Sequence, residues 1–279
     1  MKKIIAAIDG LKFSESTTSY AIAVARQTNA HLVGVFLDDP TYSAYKIYDL
    51  IDTKGPVEKE LKILELKDKA TRDAAAATFE NSCRKAAVAY TVHHDRSIAI
   101  QELKHESIYA DLLIIDSKET LTHYTEKIPT RFMRELLGDV QCPVLVVPEK
   151  YKPIDKVVLL YDGEPSSVHA LKMFSYLFPP LLELETEVIS VKPLKGSLHL
   201  PDNKLMKEFM KRHYPKARYI VFKGWAEEEI VKYLSQQKGN TLVVLGAYRR
   251  SAVSRWFRES MADTLMKSVK LPLFIAHNK

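Results

Sequence analysis

The chain states one pattern twice, and an internal duplication limits the possible folds more than composition does. Lys3-Ile4-Ile5-Ala6-Ala7-Ile8-Asp9-Gly10 returns as Lys156-Val157-Val158-Leu159-Leu160-Tyr161-Asp162-Gly163. Each apolar run ends in Asp-Gly and is followed by serines that open a helical stretch. Each half closes on an apolar strand announced by a proline, Cys142 to Val147 and Leu271 to Ala276. A repeat of about half the chain is too long for a solenoid unit and fits a duplicated domain. The division falls at the short charged segment Glu149 to Pro153, giving domains over residues 1–150 and 151–279.

Each half alternates strand and helix patterns. In the first, strands are expected at 4–8, 31–37, 89–93, 111–115 and 143–147. Helices fall between them, the longest over 58–89, and Ser14 or Ser16 caps the first. In the second, strands are expected at 157–161, 185–191, 218–222, 241–245 and 273–276, with helices at 166–178, 203–213, 226–237 and 260–269. Continuous apolar strands separated by helices argue for an α/β fold, two tandem doubly wound domains with parallel sheets. The last helices share one face. Phe132, Met133, Leu136, Leu137 and Val140 have the same spacing as Met261, Ala262, Leu265, Met266 and Val269.

Composition excludes several classes. The opening apolar run is short and interrupted by Asp9, unlike a secretory leader, and no apolar stretch is long enough to span a bilayer. Two distant cysteines, Cys83 and Cys142, have no metal-type spacing and fit a reducing cytoplasm as small buried residues. A formal charge of +6 mildly favours anionic partners, and charge alone makes no case for nucleic acid. No nucleophile elbow, P-loop or Gly-x-Gly-x2-Gly fingerprint is present, so no catalytic residue is assigned.

Ligands of doubly wound sheets bind beyond the carboxyl ends of the strands. In the second half the fourth strand exits at Gly246-Ala247-Tyr248-Arg249-Arg250, and after a loop Ser260 with Asp263 forms a capping-box pattern. These residues, the strand ends at Asp9 and Asp162 and the Pro-led closing strands resemble the universal stress protein family in its tandem form. ATP-binding members carry Gly-x2-Gly-x9-Gly-Ser/Thr after strand four. Here that spacing gives Gly246, Arg249 and Glu259-Ser260 in the second half, and Asp116, Glu119 and Pro129-Thr130 in the first.

The resemblance implies five-stranded sheets of order 3-2-1-4-5 and pairing of the halves through Val144–Val147 and Leu273–Ala276. It also implies a cytoplasmic stress-response binding protein, with Asp162, Gly246, Arg249 and Ser260 holding a nucleotide, ATP with Mg, or another anion. Asp9, Asp116, Glu119 and Thr130 are the degenerate counterpart, since glycines let backbone approach phosphate and carboxylates repel it. The first edge, with Asp38, Asp39, His93, His94 and Asp95, reads as acidic. The second, with Lys192, Lys223, Arg250 and Arg255, reads as basic. Neither is read as a metal site, because His93 and His94 point to opposite faces of a strand. The alternatives are a slow ATP hydrolase and a ligand-free interaction scaffold; a homodimer and a regulatory protein partner are also open. Trp225 and Trp256 read as packing, and Tyr42, Tyr45 and Tyr48 as a cover over the core.

Overall fold

A computed structural model describes residues 1–38, 57–95, 97–122, 125–195, 199–247 and 260–277. The chain forms two compact units, Lys2–Gln141 and Cys142–Lys279.

The first unit holds β1 (Lys3–Asp9), β2 (His31–Leu37), β3 (Tyr90–Asp95) and β4 (Leu112–Asp116). Their order is β3-β2-β1-β4, all parallel, with Ile5 opposite both Val33 and Leu113. Ile4 to Ile8 and Leu112 to Ile115 are buried, as continuous apolar runs covered on both faces must be. Helices α1 (Glu15–Thr28), α2 (Val57–Lys85), α3 (Ala99–Ile108) and α4 (Arg131–Asp139) complete it. Ser14 is the cap of α1, its Oγ accepting from the Thr17 N–H at 3.2 Å. Helix α2 stops four residues short of the expected Ala89; Ala87 turns left-handed at φ 54°. The predicted face of α4 buries Met133, Leu136, Leu137 and Val140.

The second unit holds β5 (Val144–Val147), β6 (Lys156–Leu160), β7 (Glu185–Lys192), β8 (Arg218–Lys223), β9 (Thr241–Gly246) and β10 (Leu273–Ala276). The last five run in the order β8-β7-β6-β9-β10, all parallel, which is the expected 3-2-1-4-5. β5 lies antiparallel to β10, with Leu145 opposite Phe274. That pairing goes with β5's place in the second compact unit, which begins at Cys142. Helices α5 (Pro165–Leu177), α6 (Asn203–His213), α7 (Ala226–Ser235) and α8 (Met261–Ser268) cover the sheet. Serines do not cap α5: Glu164 holds the cap position and Pro165 the first turn, where its fixed φ suits a helix start and its missing N–H costs nothing. In the core Phe174 stacks on Phe178 at 5.0 Å, and Phe274 meets both rings edge-on at 5.3 and 5.7 Å.

Candidate strand-exit sites

In the first unit the exits of β1 and β4 are filled by the protein itself. Asp9 is 2% exposed, and its Oδ1 accepts from the Leu11 N–H at 2.8 Å. Asp116 accepts from the Ser14 hydroxyl at 2.9 Å and the Lys118 N–H at 2.9 Å. Glu119 is buried, its Oε1 taking the N–H groups of Thr120 at 3.0 Å and Leu121 at 2.9 Å. Its carbonyl accepts from the Thr130 hydroxyl at 2.5 Å, and Thr130 also caps α4 through the Met133 N–H at 3.1 Å. Lys12 reaches Thr120 Oγ1 at 3.5 Å and the Thr122 carbonyl. Burial, then the charge of Asp9, pushes the Glu119 carboxyl up to about 7, against the pull of its two backbone donors. Thus Asp9, Asp116, Glu119 and Thr130 are brought together, as a carboxyl-rich plug.

Farther along the same edge, Asp38 pairs with Arg72 of α2 at 2.7 Å. A cavity of about 690 Å³ opens there, lined by Gly10, Phe36, Asp38, Leu66, Arg72 and His94 among others. His93 and His94 part as a strand requires. His93 Nδ1 lies 2.6 Å from Glu106, while His94 lies against the Phe36 ring at 5.7 Å. Burial alone would raise the Glu106 carboxyl; its bonds to Lys3 and His93 outweigh this and hold it below its ordinary value. Among the described residues no three His, Cys, Asp or Glu side chains form a metal-binding group.

In the second unit Asp162 is exposed, and its Oδ1 accepts from the Glu164 N–H at 2.9 Å. Tyr161 beside it is buried, donating to the Pro201 carbonyl at 3.0 Å. Gly163, at φ 93°, leaves no room for a side chain; a Cβ there would stand 2.5 Å from Pro201. Gly246 has a packing role of its own. A Cβ on it would stand 2.4 Å from the carbonyl of Ser166, so this glycine lets the β9 exit lie directly on the first turn of α5. Ser260 forms the expected capping box with Asp263, its Oγ accepting from the Asp263 N–H at 3.1 Å.

Lys192 and Lys223 end β7 and β8 as register partners, and Gly224 donates to the Lys192 carbonyl at 3.0 Å. Parallel strands lie about 4.8 Å apart. Like charges placed directly opposite therefore repel. Neither lysine has an ion-pair partner among the described residues. Trp225, read as packing, is instead 70% exposed two residues beyond Lys223. Arg249, Arg250, Arg255, Trp256, Glu259, Asp39, Tyr42, Tyr45 and Tyr48 lie outside the described residues.

The start of α4 holds a contact that sequence reading misses, while that of α8 has its expected capping box. The Arg131 N–H that opens α4 donates to Glu126 Oε2 at 2.7 Å, and the Ser260 N–H donates to Asp263 at 3.4 Å. Both helix N-termini, where the positive end of the helix dipole favours an anion, already carry a protein carboxylate. Nothing in the spacing of Glu126 from α4 announces this contact, because the turn between them has no periodic pattern.

A Ser–His pair elsewhere has the wrong polarity for catalysis. Ser175 Oγ lies 2.7 Å from His213 Nδ1 but gives its single proton to the Lys172 carbonyl at 2.7 Å. The histidine is therefore the donor, and burial, with the Lys172 charge, holds it below its usual range as a neutral ring.

The universal stress protein family model matches residues 1–148. Among solved structures, a universal stress protein from Archaeoglobus fulgidus DSM 4304 matches with 13% identity and a TM-score of 0.69, covering 99% of this chain and 96% of that one. A functionally unknown protein from Pseudomonas aeruginosa PAO1 matches with 13% identity and a TM-score of 0.60, covering 99% and 92%. At that identity these structures speak for the fold alone, and they extend it over the whole chain. No curated protein matches. With its family match spanning more than half its length and the doubly wound order present in its sheet, the chain belongs to the universal stress protein family.

Proposed function

We propose that the second unit binds a phosphate-bearing ligand, a nucleotide in the first instance, at the exits of β6 to β9, and that the first unit does not. The supporting observation is the like-charged register pair Lys192–Lys223, which has no acidic partner among the described residues. Two lysines at one register position of neighbouring strands are relieved by a bound anion, and charge-assisted bonds to phosphate are stronger than neutral ones. Exposed Asp162 offers an acceptor to base or ribose donors, and exposed Trp225 a ring face. The opposite condition holds in the first unit, where Asp9 and Asp116 would repel phosphate and the buried Glu119 side chain fills the space. The role is stress-linked regulation by binding, with no chemical step of its own.

Calorimetric titration with ATP and magnesium tests this. Replacing both lysines by alanine is expected to weaken binding by about tenfold or more, a loss of at least ~1.4 kcal/mol. Asp9→Ala, in the other unit, is expected to leave it unchanged. No heat from the native protein at millimolar ATP, or equal affinity after the double replacement, overturns the proposal.

One observation favours a second reading, a scaffold with both sites closed. The starts of α4 and α8 are already satisfied by Glu126 and Asp263. On that reading Asp263→Asn creates anion binding where the native protein has none.

A further inference from the structure

The Asp9, Asp116 and Glu119 plug needs an account of its own, because a buried carboxyl facing two others has no part in anion binding. We infer that Glu119 is a proton-operated latch on the loop after β4: neutral, it holds residues 117–122 against Asp9 and the cap of α4; ionised, it is expelled and the loop opens. This does not depend on what the second unit binds.

The contacts make the loop a single unit that hangs on one side chain. Glu119 Oε1 holds the N–H groups of Thr120 and Leu121, and the Glu119 carbonyl holds the Thr130 cap. Leu121 sits at φ 47°, a left-handed conformation that a leucine avoids unless its surroundings impose it. Its N–H bond to Glu119 and its burial, at 2% exposed, impose it here. When the carboxyl leaves, both constraints go together and the residue relaxes.

Charged groups face Glu119 from each neighbouring element. β1 presents Asp9, and β4 presents Asp116, which is itself bonded to Ser14 at the start of α1. The loop between β1 and α1 presents Lys12, whose ammonium is held by Thr120 and Thr122. Lys118 within the loop is exposed. The first turn of α4 offers exposed Arg131 and no carboxylate. Two backbone donors favour the ionised form; burial and two carboxylates oppose it. The opposition wins, since the carboxyl releases its proton to solvent only at about pH 7. In the open loop the group is solvated and ionises near its ordinary 4.5. The ratio of closed to open loop is then highest in acid, falls as pH rises from about 4.5 to about 7, and is level above that.

Hydrogen exchange at the Thr120 and Leu121 amides of the whole protein reads this ratio directly. Protection factors, corrected for intrinsic exchange, are expected to fall about a hundredfold between pH 5 and 8, because each unit of pKa difference is tenfold in the equilibrium. Glu119→Gln keeps a carbonyl acceptor and cannot ionise, so its protection is expected to stay flat. Asp9→Asn removes one repelling charge, so the fall is expected to shrink and to level off at lower pH. A flat profile in the native protein, or the same fall in Glu119→Gln, overturns the latch.

Discussion

Glu119 gives the first unit an unusual dependence on pH. Its folded-state value lies above the ordinary 4.5, so the native chain holds this proton more tightly than the unfolded one. Below about 4.5 both states are protonated and the group costs nothing. Between 4.5 and about 7 the unfolded state ionises first, and stability falls as pH rises; above 7 the cost is constant. Glu106 acts oppositely: held below its ordinary value by Lys3 and His93, it adds stability above that value and loses it in acid. Calorimetric melting is therefore expected to show Glu119→Gln level with the native protein near pH 4.5. At pH 8 the variant is expected to be more stable by about 2 kcal/mol, roughly 4–8 °C in Tm. Parallel profiles for the two proteins contradict this. The glycines give a second residue-scale test. Gly246→Ala pushes a methyl to 2.4 Å from the Ser166 backbone, which cannot swing aside, and is expected to cost about 2–3 kcal/mol. Gly10→Ala meets only the Arg72 side chain, at 2.9 Å, and is expected to cost about 1 kcal/mol or less. Equal denaturant midpoints for the two variants contradict this. Cys83 is a third: buried, its thiol is pushed up to about 11, so it is expected to stay unlabelled by a thiol reagent at pH 8 until the chain unfolds.

At the scale of elements, the sequence was most legible where a local rule decides the outcome. The pattern Ser-x2-Asp announced the start of α8, and Ser260→Ala is expected to cost about 1 kcal/mol in denaturant unfolding; no change would mean the cap is idle. Continuous apolar runs located β1, β4, β6 and β9, because burial on both faces leaves no polar alternation to confuse them, whereas β3 and β8 are only partly buried. The end of α2 was misplaced because Ala86, Ala87 and Val88 continue a helical composition while the backbone turns left-handed at Ala87. The site was less legible. Alignment of spacing made Glu119 a lost glycine, and only the tertiary fold shows that it fills the gap with a buried carboxyl. Gly246 was identified, but its packing against the backbone of Ser166 was not legible, since that residue is far from it in sequence. Trp225 was misread because exposure is not encoded in residue type.

At the scale of the molecule, the duplicated halves have diverged in charge while keeping one topology. Residues 2–141 carry 19 Lys and Arg against 21 Asp and Glu; residues 142–279 carry 22 against 14. A formal −2 thus sits beside +8, which together make the chain's +6. Two copies of one doubly wound unit have been driven toward opposite electrostatics, one closed on its own carboxylates and one with lysines abreast at the strand ends. The central claim is that only the second copy accepts an anion. Hydrogen exchange across the whole chain, with and without saturating ATP and magnesium, tests it most directly. New protection is expected at the exits near Asp162, Lys192, Lys223 and Gly246, with none around Asp9 or residues 116–122. Protection around Asp9 and Asp116 with the second unit unchanged would contradict it.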